Sequence, residues 1–269
     1  MNNNNFNLDF CIAGVQKGGT TSASHFFKSH PDIVIPKHEV QFFNNNEYEN
    51  TIKEYENVYF KADAPDDLSC GWKIKNNKNI LYGEKTPDIC CNTWAINRLY
   101  DLYPNCKIIM FLRNPVDRCY SHYRMDLKKF GNDWVDESKH GNPYSFEEII
   151  EFEGDGENFI NRGKYAIQLE NLFHTFSKHN VHIAISERCK ENTFIEYQKI
   201  FEFLERPIEK YEDLLQKYLK PSSTKKEFQH IQKYPKMQNK SKKYLQQLYK
   251  PYNELLFDML GYKIKEWNV

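Results

Sequence analysis

The chain has 269 residues, with 37 basic and 37 acidic side chains and no net formal charge. That length suits one large α/β domain or two small ones and is enough to bury a core, while 40% hydrophobic and 15% aromatic residues exclude a disordered chain. The charge balance argues against a general nucleic-acid binder, which is usually basic, and no run approaches the roughly 18 apolar residues of a membrane span.

The opening MNNNNFNLDF is polar, with no basic stretch leading into an apolar one, so no secretory leader is expected and residues 1–8 read as a polar tail. The seven cysteines include the neighbours Cys90 and Cys91 and show no C-x-x-C spacing, which predicts thiols in a reducing, cytoplasmic compartment. The nine histidines form no H-E-x-x-H or similar pattern, and no metal is expected.

In chain order, DFCIAG is a short apolar run closed by Gly14 and reads as a buried strand. TTSASHFFKSHP follows as a helix stopped by Pro31, and DIVIPKHEVQFFNNN as an extended segment turning at Pro36. Residues 49–80 are mixed and polar and give no clear element. NTWAINRLYDLYP has helical spacing, CKIIMFLR is the clearest strand after the first, and NPVDRCYSHYRMDLKKF opens a helix with Pro115 in its first turn. Residues 131–163, rich in Gly, Asn, Asp and Glu, read as an inserted, solvent-facing segment holding one short helix near SFEEIIEF. YAIQLENLFHTFSKH (helix), VHIAISE (strand) and NTFIEYQKIFEFLE (amphipathic helix) follow, then a linker around KPSSTKKEFQHIQKYPKM and a last helix, SKKYLQQLYKPYNELLFDML. Strands alternating with helices predict an α/β fold: a single P-loop-type domain with a central, mostly parallel sheet flanked by helices. Ligands of such sheets bind at the carboxyl ends of the strands.

The stretch AGVQKGGTTSAS carries the chemistry. The nucleoside-triphosphate loop reads G-x-x-x-x-G-K-[ST]. Here Gly14 and Gly19 hold the glycine positions and Thr21 the hydroxyl position, but Thr20 stands where the lysine belongs, and a lysine comes early, at Lys17. The amides of Gly18, Gly19, Thr20 and Thr21 can form a nest for one anionic group at a helix N-terminus. The second clear strand ends in Arg113, not in the acid that a Mg²⁺-dependent phosphoryl transferase needs. An arginine there, with Ser121 eight residues on, suits a second phosphate bound directly by protein.

These residues resemble the sulfotransferases that use 3′-phosphoadenosine 5′-phosphosulfate (PAPS). GVQKGGTT resembles their 5′-phosphosulfate loop and FLRNPVDRCYSHY their 3′-phosphate motif. HEVQFF resembles the segment bearing the catalytic glutamate in the heparan-sulfate and related carbohydrate sulfotransferases, and GEKTPDI their E-K-[ST]-P segment. The order and spacing of all four agree, and the resemblance covers nearly the whole chain. It implies that Lys17 stabilises charge on the leaving phosphate oxygen, that Glu39 is the general base and that Lys85 lies beside the transferring group or the acceptor. It also implies that Gly18, Gly19, Thr20 and Thr21 cradle the 5′ end, and that Arg113 and Ser121 hold the 3′-phosphate. Gln41 stands where other members have histidine, as in some N-sulfating members. Where many members carry K-G-R-x-Y-P, this chain has HIQKYP, and Tyr234 keeps the position that resembles an adenine-stacking tyrosine.

The resulting expectation is one sulfotransferase domain over 1–269 that moves a sulfonate group from PAPS, with PAP as product and without metal, nucleic acid or membrane. The acceptor would be a small molecule or glycan, chosen by residues 131–163 and 44–80. The alternatives are a P-loop nucleotide kinase or NTPase, favoured by a Mg²⁺ requirement, and a non-catalytic nucleotide-binding module, favoured by the HIQ departure.

Overall fold

The computed structural model describes residues 6–48, 52–60, 79–130, 135–136, 142–153, 159–206 and 236–267. Its first unit comprises residues 1–112 and 171–224, its second 113–170 and 225–269.

The first unit contains a five-stranded parallel sheet, in the order β2-β3-β1-β4-β7. Its strands are β1 (Phe10–Gly14), β2 (Ile33–Val34), β3 (Leu81–Lys85), β4 (Lys107–Leu112) and β7 (Val181–Ile185). β1 is buried along its whole length, and β4 at all but its first residue. Both therefore read as unbroken apolar runs, because a parallel strand with helices on its faces has no solvent side. Helices α1 (Thr20–Ser29), α2 (Ile52–Phe60) and α3 (Thr93–Leu102) come from the first half of the chain. Two more, α7 (Ser186–Glu191) and α8 (Thr193–Phe203), follow β7. Phe26 and Phe27 of α1 meet Tyr197 and Phe201 of α8 over Phe10, Ile12, Ile109 and Phe111 of the sheet. From β1 the chain runs to the edge strand β2, returns to β3 between the two, and then crosses to β4 and β7 on the other side of β1. The strand order thus reverses beside β1, which places the crevice for a ligand at the end of that strand.

The second unit is helical, with a two-stranded ribbon of β5 (Val135–Asp136) and β6 (Asn142–Pro143). It contains α4 (Pro115–Phe130), α5 (Phe146–Glu153) and α9 (Asn239–Leu260). The division between units falls within α6 (Tyr165–Thr175). Its core joins Val116, Cys119 and Tyr123 to Phe146, Ile150, Phe159 and Ile160, and to Leu245 and Tyr249. The expectation of a solvent-facing segment over 131–163 therefore fails at Phe146, Ile150, Phe159 and Ile160. Acidic residues are frequent in that stretch, but Phe146 and Ile150 recur at helical spacing and are buried, as are Phe159 and Ile160. Arg118 is fully buried and donates to the Phe159 carbonyl oxygen, which ties α4 to the same stretch.

Pro115 opens α4, as its sequence position predicts, and Pro251 lies inside α9. The linker expected before α9 lies outside the described residues as far as residue 235. Among the elements that the sequence left unassigned are β3, α2, α7 and the ribbon of β5 and β6.

Candidate active site

The loop between β1 and α1 is fixed from beneath by two other strands. The Val15 amide donates to the Phe111 carbonyl of β4 at 3.2 Å, and the Gly18 amide returns to the Val15 carbonyl at 2.8 Å. Ser186, directly after β7, donates its hydroxyl to the Gly18 carbonyl. Gly18 must be glycine, because a Cβ there would overlap the Phe111 carbonyl oxygen. Gly19 is the N-cap of α1 with φ 101°, a left-handed conformation that glycine adopts without steric cost. It supplies no side-chain acceptor, and the first turn of α1 carries no acidic residue. Thr20 is buried at that helix end while Thr21 and Ser22 are exposed. Lys17, also left-handed at φ 70°, is half-buried. This arrangement fits an anionic group. The first amides of α1 meet no acid or side-chain cap of the helix's own, the dipole favours negative charge, and a lysine stands in the loop.

Lys85 is the last residue of β3 and pairs in register with Ile12 of β1, two residues before that strand ends. Its Nζ lies 2.9 Å from Oε1 of Glu39. The second oxygen of Glu39 accepts a hydrogen bond of 3.1 Å from Nε2 of Gln41. Asn44 in turn donates to Oε1 of Gln41 at 3.2 Å, so the carboxamide is oriented from behind. Gln41 is held at φ 57°, so the chain turns sharply enough for its side chain to reach back to Glu39. The Glu39 side chain is 38% exposed and that of Lys85 only 9%, so the acid is reachable from solvent while the base that holds it is anchored in the fold.

Beneath this pair lies a group that the sequence did not single out. Glu84 is fully buried and accepts hydrogen bonds of 2.7 Å from the hydroxyls of Tyr55, on α2, and Thr86. Burial pushes its carboxyl up to about 7, although the two hydrogen bonds favour the charged form. The ring of Tyr55 stacks on Phe42, 4.3 Å away, three residues after Glu39. From the other side, Arg98 of α3 donates to the carbonyls of Phe43 and Asn45. Its guanidinium lies between the rings of Tyr48 and Trp94. An E-K-T-P string shows that the glutamate is there, but only the depth of β3 shows that its side chain faces inward.

The first unit thus brings Lys17, Gly18 and Gly19 of the loop together with Thr20 and Thr21 of the first turn of α1, and Glu39 onto Lys85. Arg113 and Ser121 belong to the second unit. Arg113 follows β4 and accepts at its carbonyl from the Tyr165 hydroxyl at 2.8 Å, and Ser121 is half-buried on α4. Tyr234 lies outside the described residues. Among the described residues, no group of three or more His, Cys, Asp or Glu side chains is arranged to hold a metal ion.

A parallel sheet with an anion loop after its first strand, and a lysine–carboxylate pair at the neighbouring strand end, defines an α/β group-transfer protein of the phosphate-loop type. The signature of the sulfotransferase domain family matches residues 7–254, and the chain belongs to that family. It is similar to the membrane-associated sulfotransferase kil1 of Dictyostelium discoideum, 31% identical over 151 residues, covering 55% of this chain and 28% of that protein. It is also similar to the bifunctional heparan sulfate N-deacetylase/N-sulfotransferase of Drosophila melanogaster, 26% identical over 280 residues, covering 93% of this chain and 26% of that protein. The chain thus spans under a third of the length of either relative. Its fold is shared with a crystal structure of a sulfotransferase from Alicyclobacillus acidocaldarius, with a TM-score of 0.72 and 18% identity, covering 98% of this chain and 100% of that one. No helix among the described residues is long and apolar enough to cross a membrane.

Proposed function

We propose that the chain transfers a sulfonate group from PAPS to a hydroxyl or amine of a carbohydrate acceptor, by in-line displacement with Glu39 as general base. The observation that carries this reading is the Lys85–Glu39 pair, 2.9 Å apart at the strand end beside the anion loop. A binding module has no need of a reachable carboxylate oriented on both oxygens, whereas proton abstraction does.

PAPS, when bound, supplies an activated sulfonate whose leaving group is a phosphate oxygen. The residues of the chain do the rest. The amides of Gly18, Gly19, Thr20 and Thr21 orient the 5′ end. Lys17 offsets the negative charge that grows on the departing phosphate oxygen, a form of preorganised electrostatic stabilisation that is often the largest catalytic term. Glu39 accepts the acceptor's proton, with Gln41 and Lys85 keeping its oxygens aimed. Lys85 can then turn its ammonium from the protonated acid toward the transferring group. Arg113 and Ser121 hold the 3′-phosphate, and Tyr234 stacks on the adenine. Both roles rest on the sequence motifs.

The carbohydrate class is supported by the activity of the Drosophila relative, which acts on heparan sulfate. The single domain over 1–269 is supported by the extent of the family match. The choice of acceptor by residues 131–163 and 44–80 completes the proposal, as does a reducing, cytoplasmic setting. For the setting, the support is six described cysteines present as thiols, four of them buried.

The test is calorimetric titration of PAP against ADP, with and without Mg²⁺, followed by transfer from labelled PAPS to a panel of glycans. Metal-independent preference for PAP, weakened by Arg113→Ala, is expected. Preference for ADP with Mg²⁺ would return the loop to the nucleotide kinases.

A further inference from the structure

Two hydroxyls converge on one buried carboxyl directly beside Lys85, and the mechanism above makes no use of them. Glu84 has no exposed surface, and it is the residue before Lys85 on β3. Its Oε2 accepts from Tyr55 and its Oε1 from Thr86, each at 2.7 Å. Tyr55 is itself 2% exposed and lies against Tyr59, the two hydroxyls 3.2 Å apart. Its ring stacks on Phe42 at an interplanar angle of 15° and meets Phe43 edge-on at 5.5 Å. Phe42 and Phe43 follow the left-handed Gln41, so their placement fixes the turn that carries Glu39.

We propose that Glu84 is a positioning residue for the transfer reaction: it ties Tyr55 and Thr86 to the end of β3, and through the Tyr55–Phe42 stack it holds Glu39 against Lys85. The inference rests on the reading of Glu39 and Lys85 as the transfer pair. Lys85 is set by its position on the strand, whereas Glu39 lies on an irregular segment whose position must come from side-chain contacts. Glu84 is the group that links the two, because it shares a strand with the lysine and a hydrogen-bonded, stacked path with the glutamate. A displacement of about 1 Å in such a constellation can cost on the order of 100-fold in rate. Cutting the path should therefore lower turnover and leave the anion loop intact.

The experiment compares Tyr55→Phe, Glu84→Leu and Glu84→Gln with the parent chain. It reads PAP affinity by calorimetry, kcat and KM with labelled PAPS, and the NMR titration of the Glu39 carboxyl in ¹³C-labelled protein. Tyr55→Phe keeps the ring and its stack but removes the hydroxyl, so it stays informative if Glu84→Leu does not fold. Tyr55→Phe and Glu84→Leu are expected to lower kcat by about 10–100-fold, with PAP affinity within twofold of the parent and the Glu39 resonance shifted. Glu84→Gln should recover most of the turnover, since the carboxamide can accept from one hydroxyl and donate to the other once Tyr55 turns its own proton toward Tyr59. Folded variants with parental kcat and an unmoved Glu39 resonance, changed only in melting temperature, would overturn the proposal. Should the parent bind PAP but transfer to no acceptor, the functional reading fails instead, and the Glu39 resonance still decides whether Glu84 positions it.

Discussion

Glu39 reaches Lys85 from outside the sheet: a 2.9 Å contact joins an irregular, exposed segment to the buried end of β3. The two residues are 46 positions apart in the chain and meet because β2, five residues before Glu39, pairs in parallel with β3. Glu39→Gln keeps the shape of the side chain and removes its basicity. Turnover is expected to fall by about 10²–10⁴-fold, with PAP affinity unchanged. Single-turnover transfer and calorimetry on the same sample check this, and parental turnover in Glu39→Gln would remove it from the reaction.

Gly18→Ala tests the loop itself. The added methyl meets a backbone carbonyl that is also the acceptor for the Val15 amide, so the clash cannot be relieved by turning a side chain. A loss of about 1–3 kcal/mol of stability is expected from overpacking of this kind, and weakening of PAP binding beyond tenfold. Ser186→Ala, which frees the Gly18 carbonyl from its tether, should weaken PAP binding by a smaller factor at nearly parental stability. Parental PAP affinity in both variants would mean that the loop's shape does not govern binding.

The strands and helices around the loop were legible because their patterns are local. FCIAG and KIIMFL are continuous apolar runs, and the helix after GGTT has its start and stop written at Gly19 and Pro31. β3 was not legible, because LYGEK looks like a charged turn. Gly83 and the ionisable Glu84 and Lys85 are all buried, and that burial is made possible by Tyr55, Thr86 and Glu39, which are distant in sequence or unremarkable on their own. The same is true of Phe146 and Ile150, whose apolar spacing is diluted by the glutamates around them. The motifs gave Glu39 and Lys85 separately. That they touch, and that Gln41 at its left-handed turn supplies the second contact to Glu39, is a tertiary fact that no local pattern carries.

Gln41 makes a prediction about pH. A carboxamide does not titrate, so in the parent the donor to Oε2 of Glu39 is the same neutral group at every pH. Gln41→His replaces it with a group whose ordinary pKa is about 6.5. The rate profile of the variant should gain an additional ionisation within about one pH unit of that value, absent from the parent. A profile with the same limbs as the parent would show that position 41 is uncoupled from Glu39.

Buried Glu84 and half-buried His182, both in the first unit, oppose each other in stability. Burial raises Glu84 from 4.5 to about 7, so the folded state holds a proton that the unfolded chain has released. Its contribution is present below pH 4.5 and is lost as pH rises through about 7. Burial lowers His182 from 6.5 to about 4, so the folded state lacks a proton that the unfolded chain takes up. Its contribution is present above pH 6.5 and is lost as pH falls toward 4. Across pH 4.5–6.5 the two slopes have opposite sign and offset each other. Glu84→Gln removes the falling slope, so relative to the parent its unfolding free energy should rise with pH across this window, by on the order of 2–3 kcal/mol in all. His182→Phe should show the reverse trend. Denaturant unfolding at pH 5 and pH 7 on the three proteins measures both, and parallel pH dependences would show that neither group changes protonation on folding.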